Sequence, residues 1–477
     1  MGERTLRGMF WAYGSYVGGR ALVMVSVAIL ARLLTPADFG LVAFALTVTA
    51  LLDTLADLGV SQALIVIGQD ESRDRASTAW TLSMLIGVAL TLLTIALAPL
   101  VALFFDEPEL VAIVAALGFN FLIRASAVTH FALAQKRLDF RARTIAEMAD
   151  VGVRAATGIG LALAGAGAWS LVIGYLAGTT ARAIALWLLV DFRPRPRVHR
   201  TDARALLRFG GGLAALDVIS AIVANMDYVF VGRVLGKTEL GLYTIGFRLP
   251  ELLIMNLSIV AGVVLFPAFA GIDRGALGRS FLVALRFTLG VAAPLAVALV
   301  VFAEPIVLAV FGDQWVDAVP VVRVLSLFAF AVAVGIPAGS AYKAIGRVDV
   351  LLKLAVPRAL LAVGSIAWFV DEGITAVAAC QAAVAGLFAV IGILLASHLL
   401  GAGLPAVLRA IAAPVAAAGL MAAVAVGIAL AVDGPWLTLL LAGPASALTY
   451  VLALWRLAPD IPARLLAAAT SGRTVAA

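Results

Sequence analysis

The chain has 477 residues, of which 63% are hydrophobic and 13% are charged, and its formal net charge is +6. A soluble domain carries about 25% charged residues, so the composition excludes a water-soluble enzyme. The mean hydropathy of +1.09 likewise predicts an integral membrane protein. No nucleic-acid partner is expected, because the Lys and Arg residues are concentrated in every second predicted loop and do not form one continuous basic surface. The one cysteine, Cys380, excludes disulfides and cysteine metal sites.

The apolar residues form fourteen blocks that are long enough, or nearly so, to cross a bilayer as helices of about 20 residues. We therefore predict an all-α membrane protein with about fourteen transmembrane helices. The predicted spans are 8–34, 39–67, 76–104, 109–134, 143–165, 167–190, 206–235, 239–270, 278–302, 319–342, 349–370, 374–397, 406–432 and 436–457. The apolar run within 303–318 is too short to span, and we expect an interfacial loop there.

Charge alternates along the predicted loops. If the N-terminus is cytoplasmic, the loops and termini on that side hold 22 Lys or Arg residues, and the loops on the other side hold one, Lys237. An excess of Lys and Arg marks the cytoplasmic side of a membrane protein. Both termini are therefore predicted to be cytoplasmic.

A sequence repeat divides the chain. The run Arg32–Leu41 returns in weakened form as Arg233–Leu242, at an offset of 201 residues. We predict an N-lobe of six helices over 1–190, a basic cytoplasmic linker over 191–202 and a C-lobe of six helices over 203–397. Residues 398–477 then hold two appended helices and a cytoplasmic tail. Six spans in each half make the repeats parallel, an arrangement found in alternating-access transporters that bind substrate between the repeats.

Several arginines lie deep inside predicted spans, where a charge costs about 2.5–3.5 kcal/mol on insertion scales. Such residues normally face a partner or an aqueous cavity. They outnumber the deep acids, and a guanidinium offers a two-pronged donor to phosphate, so the excess predicts an anionic substrate. The candidate residues of this cationic cavity are Arg20, Arg124, Arg154, Arg182, Arg248 and Arg358.

Three carboxylates are candidates for coupling transport to H⁺ or Na⁺, namely Asp53, Asp57 and Asp217. Asp53 and Asp57 share one helical face, and either could instead pair with Arg20. Asp150 and Arg154 stand four residues apart and could neutralise one another. No catalytic residue, metal ligand or cofactor other than the coupling ion is expected, because no phosphate-binding glycine loop or metal-spaced His/Cys set is present.

The first predicted hairpin resembles a known family. Residues 31–40 and 57–65 are similar to the polysaccharide exporter branch of the multidrug/oligosaccharidyl-lipid/polysaccharide (MOP) flippase superfamily. Further similarity lies in the basic run 135–140 and in Phe311-Gly312-Asp313-Gln314-Trp315. The resemblance covers about residues 1–400.

The resemblance implies a V-shaped transporter of two six-helix lobes in the bacterial inner membrane, acting as a monomer by alternating access. It implies a flippase that moves an undecaprenyl-diphosphate-linked oligosaccharide to the outer leaflet during O-antigen, capsule or exopolysaccharide assembly. Its partners would be this glycan, membrane lipid and the polysaccharide polymerase and chain-length machinery. The alternatives are a cation-coupled multidrug exporter or a lipid-linked peptidoglycan precursor flippase of the same fold, or a membrane-embedded glycosyl- or phosphotransferase.

Overall fold

The computed structural model describes residues 3–56, 64, 73–432, 434–459 and 461, and within this part the regular structure is entirely helical. The first seven helices are α1 (Glu3–Leu33), α2 (Pro36–Ala56), α3 (Arg73–Phe105), α4 (Leu110–Lys136), α5 (Phe140–Leu163), α6 (Ala168–Leu189) and α7 (Arg200–Pro250). The others are α8 (Asn256–Ala270), α9 (Arg274–Val301), α10 (Ala303–Val310), α11 (Val319–Ala344), α12 (Val348–Phe369), α13 (Ile374–Leu399), α14 (Leu404–Ala431) and α15 (Pro435–Leu457). A π-helical turn, Glu251–Met255, joins α7 to α8.

Helices lie at the positions of all fourteen predicted spans, which confirms the all-α class. Ten helical stretches in the described part are long and apolar enough to cross a membrane. The helices α1, α5 and α7 carry more charge, and α8 is shorter. The total of fourteen transmembrane helices therefore stays a prediction.

The prediction of an interfacial loop over 303–318 was wrong. This stretch forms the two-turn helix α10 and a 3₁₀ helix, Asp313–Ala318. Several of its apolar side chains are buried, and among these Phe311 and Trp315 have no exposed surface. Burying these two aromatic rings against neighbouring helices favours an ordered helical segment over a surface loop.

The chain divides into two compact units, Met1–Gly241 and Leu242–Ala477. In the first unit, α3 packs on α4, α5 packs on α6, and α4 also contacts α2 and α6. In the second unit, α11 lies at the centre and packs on α8, α9 and α13, while α14 packs on α9 and α15. The predicted lobe boundaries at 190, 203 and 397 stay predictions.

The repeated motif forms a reciprocal contact inside the first unit. A Cβ built on Gly40 would lie 1.8 Å from the Lys237 carbonyl oxygen, and one built on Gly241 would lie 1.9 Å from the Pro36 carbonyl oxygen. The sequence offset of 201 residues maps Pro36 onto Lys237 and Gly40 onto Gly241. The two copies of the motif therefore touch backbone to backbone, and only glycine fits at either contact.

Local capping and an ion pair hold the loops around this contact. Thr35 caps α2, since the Asp38 backbone N–H donates to Thr35 Oγ1 at 3.3 Å and the Thr35 backbone N–H donates back to Asp38 Oδ2 at 2.9 Å. Pro36 occupies the first helical position. Lys237 Nζ donates to Glu107 Oε2 at 2.8 Å. This hydrogen bond raises the pKa of Lys237, so the lysine is charged at physiological pH.

The segment predicted to be a basic linker packs against α3 and α4 of the first unit. Phe192 is buried against His130, and the backbone N–H groups of Arg195 and His199 donate to the hydroxyls of Ser77 and Thr78 at 3.3 and 3.2 Å. The linker arginines Arg193, Arg195 and Arg197 are exposed. The segment is thus fixed in place along the end of α3, with its cations facing outward.

The glycine contact generates the first prediction. We expect Gly40→Ala to destabilise the protein by about 1–3 kcal/mol, because its methyl group overlaps the Lys237 carbonyl and the core must shift to admit it. Gly160→Ala is the matched control, since a Cβ there meets nothing within 4 Å and alanine raises helix propensity by about 1 kcal/mol. Thermal unfolding of the purified variants in detergent measures both. A Gly40→Ala protein as stable as the Gly160→Ala protein would contradict the close approach.

Candidate functional site

Charged side chains from five helices, α1, α2, α4, α5 and α6, meet within the first unit. One ion pair joins α2 to α4: Arg124 Nη1 donates to both carboxylate oxygens of Asp53. The structure pairs Asp53 with Arg124, and the predicted pairing of Arg20 with Asp53 or Asp57 stays a prediction. Asp53 and Arg124 lie 71 positions apart in the chain, so no local pattern predicts this pair.

A second ion pair lies on one face of α5. Arg154 donates to Asp150 Oδ1 from Nη2 at 2.7 Å and from Nε at 3.1 Å, which confirms the pair predicted from their spacing. The Arg154 guanidinium also lies over the Tyr175 ring of α6, with its Cζ 4.4 Å from the ring centroid. The aromatic face and the carboxylate together hold this cation in place, although the Arg154 side chain is still 40% exposed.

A cavity of about 520 Å³ opens beside these pairs, between α1 and α5. Arg20 and Val23 of α1 form one wall, and α5 forms the other. The polar side chains of the α5 wall are Arg143, Thr144, Glu147 and Asp150. The carboxylate that binds Arg154 therefore also borders the cavity.

Two further arginines meet at one phenyl ring. The Cζ atoms of Arg143 and Arg182 lie 5.0 and 4.8 Å from the centroid of the Phe131 ring. Arg182 is within electrostatic reach of Asp150, Arg124, Glu147 and Arg143. Arg182 therefore lies near both ion pairs and the polar wall of the cavity, and we call the whole set the arginine cluster.

The arginine cluster has an excess of positive charge. Among the residues that the structure describes, it contains five guanidinium groups and three carboxylates, which leaves a formal charge of +2. The members are Arg20, Arg124, Arg143, Arg154, Arg182, Asp53, Glu147 and Asp150. Arginine does not lose its proton in proteins, so this excess persists over the physiological pH range.

The remaining candidate residues lie in the second unit or outside the part of the chain that the structure describes. Arg248 and Arg358 belong to the second unit, where Arg248 Nη1 donates to Glu251 Oε2 at 3.0 Å and Arg358 is exposed on α12. Asp57 and the side chain of Asp217 lie outside the described residues. Throughout the described part, no group of His, Cys, Asp or Glu residues is arranged to hold a metal ion.

Sequence reasoning missed two members of this region, Arg143 and Phe131. Arg143 is the first residue of the predicted span 143–165, and it is one of the 22 Lys or Arg residues assigned above to the cytoplasmic loops and termini. The available signal was the spacing of Arg143, Glu147 and Asp150, which places all three side chains on one face of a helix.

The chain matches a known protein family and is similar to two bacterial proteins of polysaccharide biosynthesis. Residues 29–320 match the family model described as polysaccharide biosynthesis protein. The chain is 28% identical over 378 residues to the succinoglycan biosynthesis transport protein ExoT of Rhizobium meliloti (strain 1021), covering 78% of this chain and 75% of the relative. It is also 28% identical over 372 residues to the lipopolysaccharide biosynthesis protein WzxC of Escherichia coli (strain K12), covering 76% and 75%.

Solved transporter structures share the fold. The lipid II flippase MurJ in an inward closed conformation superposes with a TM-score of 0.76 at 15% identity, covering 94% of this chain and 99% of that one. An inward-facing multidrug resistance MATE family transporter of the MOP superfamily superposes with a TM-score of 0.65 at 18% identity, covering 80% and 95%. At these identities the likeness establishes the fold alone.

The Arg124–Asp53 pair generates the second prediction. Asp53→Ala leaves the Arg124 guanidinium without its carboxylate, and we expect a loss of about 2 kcal/mol of stability. This is less than the roughly 3–5 kcal/mol for a fully buried pair, because the Arg124 and Asp53 side chains are 44% and 34% exposed. The double variant Asp53→Ala/Arg124→Ala carries neither charge and should recover part of the loss. Thermal unfolding in detergent measures the coupling, and strictly additive effects would show that the pair contributes nothing.

Proposed function

The chain belongs to the polysaccharide biosynthesis protein family, and we propose that it is a flippase that moves an undecaprenyl-diphosphate-linked oligosaccharide across the bacterial inner membrane. The family match confirms the resemblance seen at the first hairpin. The protein is a multi-pass membrane transporter of the MOP type, like its relatives in succinoglycan and lipopolysaccharide biosynthesis. The glycan carrier and the direction of transport, from the cytoplasmic to the outer leaflet, are the parts that we propose.

The observation that carries the proposal is the +2 charge of the arginine cluster. A diphosphate that joins a lipid to a sugar has one ionised oxygen on each phosphorus, and so carries two negative charges. The cluster can therefore neutralise this group where the bilayer would otherwise oppose its passage. A cationic drug would be repelled by the same residues, which argues against the multidrug alternative.

The chemistry of guanidinium groups suits this role. Each group presents several N–H donors in a plane, and these bind phosphate oxygens with charge-assisted hydrogen bonds. The Asp53 and Asp150 carboxylates hold two of the cations in position before substrate arrives. The diphosphate would replace these carboxylates as the counter-charge while it passes.

Alternating access between the two halves completes the proposed mechanism. Asp53, Asp57 or Asp217 would take up the H⁺ or Na⁺ that drives the cycle, and no other cofactor is required. The protein would act as a monomer with both termini in the cytoplasm, and would deliver its glycan to a polymerase and its chain-length machinery. The transported group stays intact, so the proposal requires no catalytic residue.

Complementation tests the function. The chain is expressed in a bacterium that lacks its own O-antigen or capsule flippase, and surface polysaccharide is measured. We expect export with the wild-type chain and background export with Arg124→Ala or Arg154→Ala, because each change removes a charge from the cluster. Arg409→Ala is the matched control, since Arg409 is exposed in the second unit and its Nε donates to the Pro405 carbonyl of its own helix at 3.3 Å.

Membrane levels of all four proteins are measured by immunoblot in the same cells. Wild-type export by Arg124→Ala and Arg154→Ala would refute the role of the arginine cluster. Absence of export by the wild-type chain, in hosts that make several different lipid-linked glycans, would refute the function itself.

A further inference from the structure

The arginines of the cluster lie at different depths in the first unit. The ends of α4, α5 and α6 at Lys136, Phe140 and Leu189 are on one side, which is the predicted cytoplasmic side. With a helical rise of 1.5 Å per residue, Arg143 is about 5 Å and Arg182 about 10 Å from these ends, whereas Arg124 is about 18 Å and Arg154 about 21 Å away. The cations thus form a series that leads inward from this side.

The two deeper arginines differ from the two outer ones in their partners. Arg124 and Arg154 are each held by an aspartate. Arg143 and Arg182 form no ion pair within 4.0 Å among the residues that the structure describes, and each lies against the Phe131 ring instead. The Arg143 Nε atom is also buried, and it has no hydrogen-bond partner among the described residues.

Two guanidinium groups beside one phenyl ring repel each other, and the ring offsets only part of this cost. An anion that accepts hydrogen bonds from both groups would remove the repulsion and would satisfy the buried Arg143 Nε. The neighbouring cavity wall adds Arg20 and the Thr144 hydroxyl as further donors. The cavity volume of about 520 Å³ leaves room for a group much larger than a single water molecule.

We propose that Arg143 and Arg182, which both lie against the Phe131 ring, form a loading site that binds the diphosphate of the lipid-linked substrate before it reaches Arg124 and Arg154. This inference rests on the proposed function and on its predicted orientation. The outer arginines have no carboxylate to displace, so they bind the substrate first. Transfer inward then exchanges Asp53 and Asp150 for phosphate oxygens at the deeper arginines.

The loading site makes a distinct prediction for binding without transport. Purified wild-type protein is titrated in detergent with undecaprenyl diphosphate, and bound lipid is measured by native mass spectrometry. We expect Arg143→Gln and Arg182→Gln each to weaken binding about tenfold or more, because each removes charge-assisted hydrogen bonds to phosphate. Arg141→Gln, two residues from Arg143 and exposed, is the matched control and should bind as the wild type does.

A deeper variant separates loading from transport. Arg154→Gln should weaken binding of undecaprenyl diphosphate less than Arg143→Gln or Arg182→Gln does, and yet fail in the export assay. Arg143→Lys and Arg182→Lys keep the charge without the planar fork, and should lie between wild type and the Gln variants. These Lys variants also test the site if either Gln variant fails to accumulate.

The outcomes distinguish this inference from the proposed function. Unchanged affinity in the Arg143 and Arg182 variants overturns the loading site, whether or not the wild-type chain exports glycan. Equal competition by phosphatidylglycerol that depends on the same two arginines shows a membrane-lipid headgroup site and overturns the diphosphate assignment. Tight, Arg143-dependent binding by a wild-type chain that exports no glycan would support the site and refute the function.

Discussion

The structure of the first unit depends on the cost of placing arginine in a low-dielectric environment. A guanidinium deep in a bilayer is stable only beside a carboxylate, an aromatic face or water. The first two of these solutions occur here: Asp53 for Arg124, Asp150 and Tyr175 for Arg154, and Phe131 for Arg143 and Arg182. The packing of α4 against α2 and of α5 against α6 brings these partners together. The same helix contacts thus build both the fold and the charge distribution.

The partner of each arginine also decides what the arginine can do. A carboxylate neutralises its cation and must be displaced before the cation can bind another anion, whereas an aromatic ring leaves most of the positive charge available. The deeper cations of the first unit have carboxylate partners, and those nearer the helix ends have a ring. The proposed loading site therefore depends on a difference in partners that is already present in the packed helices.

The helices were predictable from the sequence, whereas the ion pairs were predictable only where both partners lie on one helix. Uninterrupted apolar runs located the helices, and the Asp150–Arg154 spacing predicted a contact that the structure confirms. The Asp53–Arg124 contact joins distant parts of the chain, so it follows from helix packing alone. Arg143 was misplaced because hydropathy locates a helix end only to within a few residues. The error at 303–318 has a similar origin, since composition does not reveal that Phe311 and Trp315 are buried.

The reciprocal contact of Gly40 and Gly241 bears on the origin of the chain. Gly40 of the first copy contacts Lys237 of the second, and their counterparts Gly241 and Pro36 make the same contact in reverse. Such reciprocal contacts are typical of the isologous interface of a two-fold symmetric dimer. Two half-length polypeptides that associate in this way would meet through the same glycines and the same carbonyls. Gene duplication followed by fusion preserves such an interface within one chain, and from then on a substitution alters one side of it alone. The fused protein can therefore acquire asymmetry, with its arginine cluster in one unit, which a homodimer cannot.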